Sequence, residues 1–151
     1  MSYIVECQNE HFYELIQEVA QIEKDTFSDA WSADSIESTM NQDCNKLFVI
    51  FNDNSVVAGY LISSFVADET ELLRIAVKSD DRDKGIGKNL MHEYLSYAEK
   101  ICSRGFLEVR AGNFFARKLY EKCGYKEIAT RKNYYRNPND DGVIYEVDFD
   151  S

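Results

Sequence analysis

Apolar residues recur every three or four positions in two long stretches of the chain, 11–22 and the segment from Gly87 to 102. This spacing places them on one face of an α-helix, so it predicts two amphipathic helices. Ser32 has a side chain suited to an N-cap and precedes a shorter helical pattern over 33–40. A fourth helix is predicted over 113–123, where the following glycine ends it.

Runs of β-branched and aromatic residues predict the strands. The polar segments 52–55 and 137–142 lie between consecutive runs and have the composition of turns between antiparallel strands. Gly105 is expected in the loop that follows the third helix. The predicted strands cover 3–5, 46–51, 56–66, 71–77, 106–111, 128–135 and 143–149.

The order of these elements predicts an α/β (α+β) fold, in which one mixed, mostly antiparallel sheet of seven strands carries about four helices on its two faces. The chain has 151 residues, which is the usual size of one domain, and it contains no internal repeat or linker. We therefore expect a single domain over 1–151.

The numbers and spacing of cysteines and histidines limit which metal sites and catalytic groups the chain can form. The four cysteines form no C-x-x-C pair and are expected to be reduced, mostly in the core. With two histidines, His11 and His92, the chain offers neither a three-histidine metal site nor a convincing Ser/His/Asp triad, so no metal is expected. The cysteines are Cys7, Cys44, Cys102 and Cys123.

The net charge of -10 favours some partners over others. It repels phosphate backbones, so no direct nucleic-acid partner is expected, whereas a basic peptide or a polyamine would be attracted. The first six residues lack a signal peptide's basic region and apolar core, and no apolar run is long enough to span a bilayer. These patterns predict a cytoplasmic protein with no membrane partner.

A glycine-containing loop, Arg82-Asp83-Lys84-Gly85-Ile86-Gly87, lies between the fourth predicted strand and the third helix. Backbone N–H groups at such a helix N-terminus can converge on an anion, and glycine lets the backbone approach a phosphate closely. Two glycines alone are equally typical of a tight strand-to-helix turn. The loop lacks the Gly-Lys-Ser/Thr ending of a nucleotide-binding Walker loop.

This loop resembles the R/Q-x-x-G-x-G/A pyrophosphate motif of the GNAT superfamily of acetyltransferases, and the predicted order of elements resembles the GNAT fold over nearly the whole chain. Four further stretches are similar to the ribosomal-protein-alanine N-acetyltransferase (RimI) family. They are Asp68-Glu69 together with Ile75-Ala76-Val77, the L-E-V-R-A-G-N run over 107–113, the L-Y-E-K-C-G-Y run over 119–125, and the R-K-N-Y-Y run over 131–135.

The resemblance implies transfer of the acetyl group of acetyl-CoA to the N-terminal α-amine of a protein, the N-terminal alanine of a small-subunit ribosomal protein. It implies that Glu108 accepts a proton and that Tyr120 donates one. The implied acceptor-site residues are Trp31, placed on the surface in a loop, with Arg74, Tyr134 and Tyr135. The implied cofactor-binding residues are Ile75, Ala76, Val77, Arg82, Asp83, Lys84, Gly85, Ile86, Gly87, Lys88 and Asn113.

Each role has a competing interpretation. Glu108 and Arg110 share one face of a strand and are also suited to a structural ion pair. Tyr120 also continues a stripe of apolar residues on its helix, although Asn113 lies two turns away on nearly the same face. The alternative functions are acetylation of a small amine such as a polyamine, and acyl-CoA binding by a subunit without catalysis.

Four positions depart from the family's usual residues. Arg74 stands where Asn is common, Ala30 where Pro is usual, and Gly112 where Ser is usual, while Asp83 adds negative charge to the pyrophosphate loop. Arg74 therefore bears on which N-termini this chain accepts.

Overall fold

The computed structural model describes residues 2–5 and 10–150, with side chains from residue 10 onward. Within this part of the chain, four α-helices and seven strands follow one another in the predicted order, and a short 3-10 helix covers Ser79–Asp81. The helices are α1 Phe12–Thr26, α2 Ala33–Met40, α3 Ile86–Ala98 and α4 Phe114–Lys122. The strands are β1 Ser2–Val5, β2 Asn45–Phe51, β3 Val57–Val66, β4 Glu69–Val77, β5 Arg104–Arg110, β6 Lys126–Tyr135 and β7 Asp140–Asp148.

All seven strands form one sheet in the order β1-β2-β3-β4-β5-β7-β6. Every neighbouring pair is antiparallel except β4 and β5, which run parallel. The predicted mixed, mostly antiparallel sheet is therefore confirmed. The pairing of β4 with β5 extends only from Glu69↔Arg104 to Leu72↔Leu107, so the second half of β4 has no partner on that side among the residues that the structure describes.

Two apolar clusters cover the two faces of the sheet. One contains buried residues of α1 and α2, and the other contains those of α3 and α4. The side chains of β2 point alternately to the two faces of the sheet, so this strand contributes to both clusters. Leu47 and Val49 pack with α1 and α2, while Phe48 and Ile50 pack with α3. The prediction of helices on both faces is confirmed.

A β-bulge in β4 changes which face its side chains meet. Ile62 and Ser63 pair with Arg74 and Leu72, so Leu73 is an extra residue between them. An extra residue reverses the alternation along a strand. Leu72 packs with the α3 and α4 cluster, whereas Arg74 turns toward α1. No local sequence signal predicts this change.

Helix boundaries confirm some predictions and correct others. The Ser32 Oγ accepts a hydrogen bond from the Ser35 N–H at 3.1 Å, which confirms it as the N-cap of α2. Helix α1 continues past the predicted end to Thr26 and buries Glu23. Helix α3 ends at Ala98, before the predicted end at 102. None of the helices in the described ranges is long and apolar enough to cross a membrane.

Gly105 was wrongly expected in a loop. It lies in β5, where a Cβ atom would be 3.1 Å from the Thr70 Cγ2 and 3.2 Å from the Val147 Cγ1. Glycine is therefore needed for close packing between neighbouring strands. The last residues of the predicted turn 137–142 are also strand residues, since β7 begins at Asp140.

The cysteines of the described residues are all free thiols. Cys102 is buried, and Cys123 is half-buried but packs against the cluster of α3 and α4, as expected of core thiols. Cys44 is half-buried and belongs to neither apolar cluster of the described residues, so the expectation is wrong for Cys44. Cys7 lies outside the described residues.

Candidate functional site

The predicted anion site lies where α3 begins. Gly85 is the N-cap residue and has the left-handed φ of 77°, which glycine adopts without strain. The N–H groups of the first turn, at Ile86, Gly87 and Lys88, have no acceptor within the helix because no earlier turn precedes them. They form an array of donors at the positive end of the helix dipole.

The charged side chains of the loop mostly bind the protein itself. The Arg82 Nε donates to the Val77 carbonyl at 3.1 Å and so ties the loop to the end of β4. The Lys84 Nζ lies 3.4 Å from the buried Asp81, which also accepts a hydrogen bond from the Asn52 Nδ2 at 3.3 Å. Asp83 is exposed at a positive φ of 63°. The backbone therefore supplies the free donors of this loop.

A cavity of ≈ 610 Å³ connects this loop with Tyr120. It lies where β4 has lost its pairing with β5, between the end of β4 and the start of α4. Lys84 and Lys88 are the two predicted cofactor residues that do not line it. Its lining consists of Asp25, Thr26, Ile75, Ala76, Val77, Asp81, Arg82, Asp83, Gly85, Ile86, Gly87, Asn113, Phe115, Ala116, Leu119 and Tyr120.

Tyr120 fits both interpretations of its sequence position. Its ring packs edge-on against Tyr125 and Tyr145 in the core, and the residue also lines the cavity. None of the hydrogen bonds among the described residues uses its hydroxyl. Burial raises the pKa of Tyr120, and nearby Tyr135 raises it further. The hydroxyl is therefore protonated at neutral pH and is available to donate a hydrogen bond.

Asn113 begins α4 at the same cavity. Its side chain is the N-cap, and its Oδ1 accepts a hydrogen bond from the Ala116 N–H at 3.2 Å. Asn113 and Tyr120 both line the cavity, as their seven-residue separation predicts.

Glu108 lies on the other side of β5. Leu107 and Val109 pack into the cluster of α3 and α4, so by alternation Glu108 faces the side of α1 and α2. Its side chain is 17% exposed, and its Oε2 lies 3.4 Å from the Arg131 Nε. That oxygen is buried and has no hydrogen-bond partner among the described residues.

Burial is the largest influence on the Glu108 carboxyl group and raises its pKa. The Arg131 charge lowers the pKa and Glu71 raises it, with a net increase. The competing interpretation of Glu108, a structural ion pair with Arg110, is wrong. The Arg110 guanidinium instead donates to the carbonyls of Arg136 and Pro138 and lies 4.5 Å from the centre of the Tyr135 ring.

Gly142 is a site residue that the sequence interpretation missed, since it was assigned to a turn. A Cβ atom there would collide with the Glu108 Oε2 and would lie 3.2 Å from the Tyr134 Cδ2. The Glu108 carboxylate therefore occupies the space that a side chain at Gly142 would need. The sequence signal that could have indicated Gly142 is a glycine inside β7, the strand that pairs with the β5 strand of Glu108.

The acceptor-site residues divide into two groups. Trp31 is half-buried, which corrects its predicted surface position, and it packs near Arg74 on β4. Tyr134 and Tyr135 form an edge-to-face pair with ring centres 5.0 Å apart on β6. Burial raises the pKa of Tyr135 to about 12, with Glu108 and Asp29 adding to the increase. The Asp29 Oδ1 lies 3.7 Å from the Arg74 guanidinium, and Asp29 and Glu108 both raise the pKa of Tyr135, so the two groups flank the surface next to Glu108, which we call the acceptor opening.

Comparisons with known proteins give matches over most of the chain. The model of the acetyltransferase (GNAT) family matches residues 16–125. The ribosomal protein bS18-alanine N-acetyltransferase of Haemophilus influenzae is 32% identical over 140 residues, which cover 92% of this chain and 89% of that protein. The protein of the same name from Escherichia coli K12 is 36% identical over 125 residues, or 80% of each chain.

A solved structure, that of the ribosomal-protein-S18-alanine N-acetyltransferase from Escherichia coli, has the same fold. It superposes with a TM-score of 0.85 at 27% identity, covering 99% of this chain and 94% of that chain.

Proposed function

The chain belongs to the acetyltransferase (GNAT) family, and we propose that it transfers the acetyl group of acetyl-CoA to the N-terminal α-amine of a protein. The proposed acceptor is the N-terminal alanine of a small-subunit ribosomal protein, as the names of its relatives suggest. The observation that carries the proposal is the cavity that joins the donors at the start of α3 to the Tyr120 hydroxyl. We propose that residues 1–151 form one domain acting in the cytoplasm, where ribosomal proteins are made.

The residues around the cavity suit acetyl-CoA. The first-turn N–H groups of α3 are suited to the pyrophosphate. Beyond Leu72 no strand among the described residues pairs with the edge of β4 that faces β5. Apart from the Val77 carbonyl, which already accepts from Arg82, the backbone of Ile75–Val77 on this edge is available to the amides of the pantetheine arm. Asn113 lies across the cavity from this strand and completes the proposed binding site.

The acceptor amine must be neutral before it attacks the thioester. At pH 7 this costs ~1.4 kcal/mol for an α-amine with a pKa of ~8, but ~4.6 kcal/mol for a lysine side chain. Glu108 has a raised pKa, which brings it closer to the working range of a general base. We assign it the removal of the amine proton, directly or through a water molecule. This modest requirement favours an N-terminal amine as the acceptor.

Tyr120 lines the cavity that is proposed to hold the cofactor, and we assign its hydroxyl to the leaving sulfur of CoA. Because burial raises its pKa above the usual ~10, full proton transfer to a thiolate of pKa ~8.5 is uphill. A hydrogen bond from the hydroxyl stabilises the thiolate without that transfer. Direct transfer between the two substrates needs no cysteine nucleophile.

A competition assay tests the proposal. The enzyme is given acetyl-CoA, a peptide that begins with alanine followed by Arg and Lys residues, and spermidine, and the products are identified by mass spectrometry. We expect the peptide to be acetylated at its α-amine in preference to spermidine, because α-amine deprotonation costs less. Equal or faster acetylation of spermidine would favour the small-amine alternative. Binding of acetyl-CoA without any turnover would favour the non-catalytic alternative.

A further inference from the structure

A fully buried carboxylate lies beside the opening, and the proposed chemistry does not use it. It belongs to Glu23 of α1, and both of its oxygens accept hydrogen bonds. The Arg74 guanidinium binds it through two nitrogens, at 2.6 Å to Oε1 and 3.2 Å to Oε2. The Trp31 backbone N–H donates to Oε1 at 3.0 Å, and the Tyr60 hydroxyl donates to Oε2.

The same guanidinium contacts three residues of the segment 27–31, which connects α1 to α2. It lies 4.2 Å from the centre of the Phe27 ring and 5.2 Å from that of Trp31. Its NH2 atom is 3.7 Å from the Asp29 Oδ1. Segment 27–31 contains no helix or strand of its own, so these contacts with Arg74 hold its shape.

Arg74 stands at the edge of the proposed reaction site. It directly precedes the β4 backbone that is proposed to bind pantetheine, and the bulge at Leu73 turns it to the side of the sheet that Glu108 also faces. Asp29 is close enough to Tyr135 to raise its pKa. Segment 27–31 therefore lies at one side of the acceptor opening, and in the proposed function it forms the wall along which an acceptor reaches Glu108.

We propose that Arg74 is a positioning residue for the acceptor: clamped by Glu23, it holds segment 27–31 in the shape that receives the acceptor chain. The inference rests on the proposed function. The Arg74 side chain is only 13% exposed and its charge is matched by Glu23, so it does not bind the acceptor itself. The exposed carboxylate of Asp29 remains, which gives this wall a negative charge that suits a cationic acceptor.

The variants must separate positioning from folding. Removing Arg74 alone leaves a buried, unpaired Glu23 charge, which is strongly destabilising. The double variant Glu23→Gln/Arg74→Met removes both charges together, and Gln keeps an oxygen that can accept from the Trp31 N–H. Arg104→Met is the matched control, because Arg104 is also a strand arginine paired with a carboxylate, Glu69 at 3.7 Å, away from the opening.

The test compares steady-state kinetics of the acceptor peptide with calorimetric binding of acetyl-CoA. For the double variant we expect the KM of the acceptor to rise by about tenfold, because an unclamped segment must be ordered on binding. The kcat and the Kd of acetyl-CoA should stay within about twofold, since neither depends on the wall. Arg74→Lys keeps the charge but loses the two-nitrogen contact with Glu23. Its KM for the acceptor should therefore lie between those of the wild type and the double variant.

Two results would overturn the inference. One is an unchanged acceptor KM in a double variant whose thermal unfolding matches the wild type. The other is a parallel loss of acetyl-CoA affinity, which would indicate a general structural role. Failure of the proposed function has a different signature, since the wild type would then leave the peptide unmodified. In that case the KM for spermidine is compared between the double variant and the wild type, and an unchanged KM would likewise overturn the inference.

Discussion

Phe115 is exposed in a way that a bound cofactor would explain. Its side chain is 92% exposed in the first turns of α4, and it lines the cavity beside Asn113. Neighbouring Phe114 is 69% exposed but does not line the cavity. We predict that Phe115 packs on acetyl-CoA and that Phe115→Ala weakens cofactor binding without reducing the stability of the fold.

The size of the effect follows from the exposed area. A phenylalanine side chain buries about 150 to 250 Å² when fully covered. If acetyl-CoA covers about half of this ring, roughly 80 Å² at ~25 cal/mol per Å² gives ~2 kcal/mol, or roughly a 30-fold increase in Kd. The free energy of unfolding of the cofactor-free variant should stay close to that of the wild type, because the ring contributes little to the core and alanine is a better helix former.

Isothermal titration calorimetry with acetyl-CoA measures this prediction, and thermal unfolding of the free protein checks stability. Phe114→Ala is the matched control, since it removes an equally large exposed ring one residue outside the cavity lining. A Kd for Phe115→Ala within twofold of the wild type would refute the reasoning. Equal weakening by both variants would show that the effect is not specific to the cavity.

The remaining predictions concern Glu108 and Tyr120, the two residues proposed to handle protons. Glu108→Gln should lower kcat/KM for the peptide most at pH 7. The loss relative to the wild type should shrink by up to about tenfold toward pH 9, where an α-amine of pKa ~8 is already neutral. A loss of kcat/KM that does not depend on pH would contradict this role. Tyr120→Phe should lower the single-turnover rate by about 100-fold or more at every pH, while the Kd of acetyl-CoA stays unchanged. Full activity of this variant would show that the role of Tyr120 is purely structural.

The raised pKa of Glu108 fixes the direction of the wild-type pH profile. Burial disfavours the carboxylate, so the group becomes a competent base only above a pKa higher than that of an ordinary glutamate. The acid side of the kcat/KM profile should therefore shift to higher pH than an exposed carboxylate would give. Replacing Arg131 with a neutral residue should shift it further in the same direction, because the Arg131 charge lowers this pKa.

Much of the fold follows from local pattern, because an amphipathic period and a cap residue act over a few neighbouring positions. Ser32 was predicted as the N-cap of α2 and is one. The end of α1 was missed because a buried charged residue, Glu23, interrupts the apolar pattern. Its burial depends on Arg74, far away in the sequence, and no local signal reports such a pairing.

The site shows the same division between local and distant information. The separation of Asn113 and Tyr120 on one helix predicted that they share a surface, and both line the cavity. The competing interpretation of Glu108 paired it with Arg110 on its own strand, but its charged partner is Arg131 on β6. Strand β7 lies between β5 and β6, so this contact depends on the order of strands in the sheet.

The incomplete pairing of β4 with β5 bears on how the two residues proposed to handle protons are placed. Glu108 faces the side of α1 and α2, while Tyr120 packs on the side of α3 and α4. Tyr135 is close to both, since it raises the pKa of Tyr120 and its own pKa is raised by Glu108. In the proposed function, an acceptor that arrives from one face and a cofactor bound along the other meet where β4 and β5 are not paired. A continuous sheet would keep the amine from the thioester, so the proposed direct transfer depends on this gap.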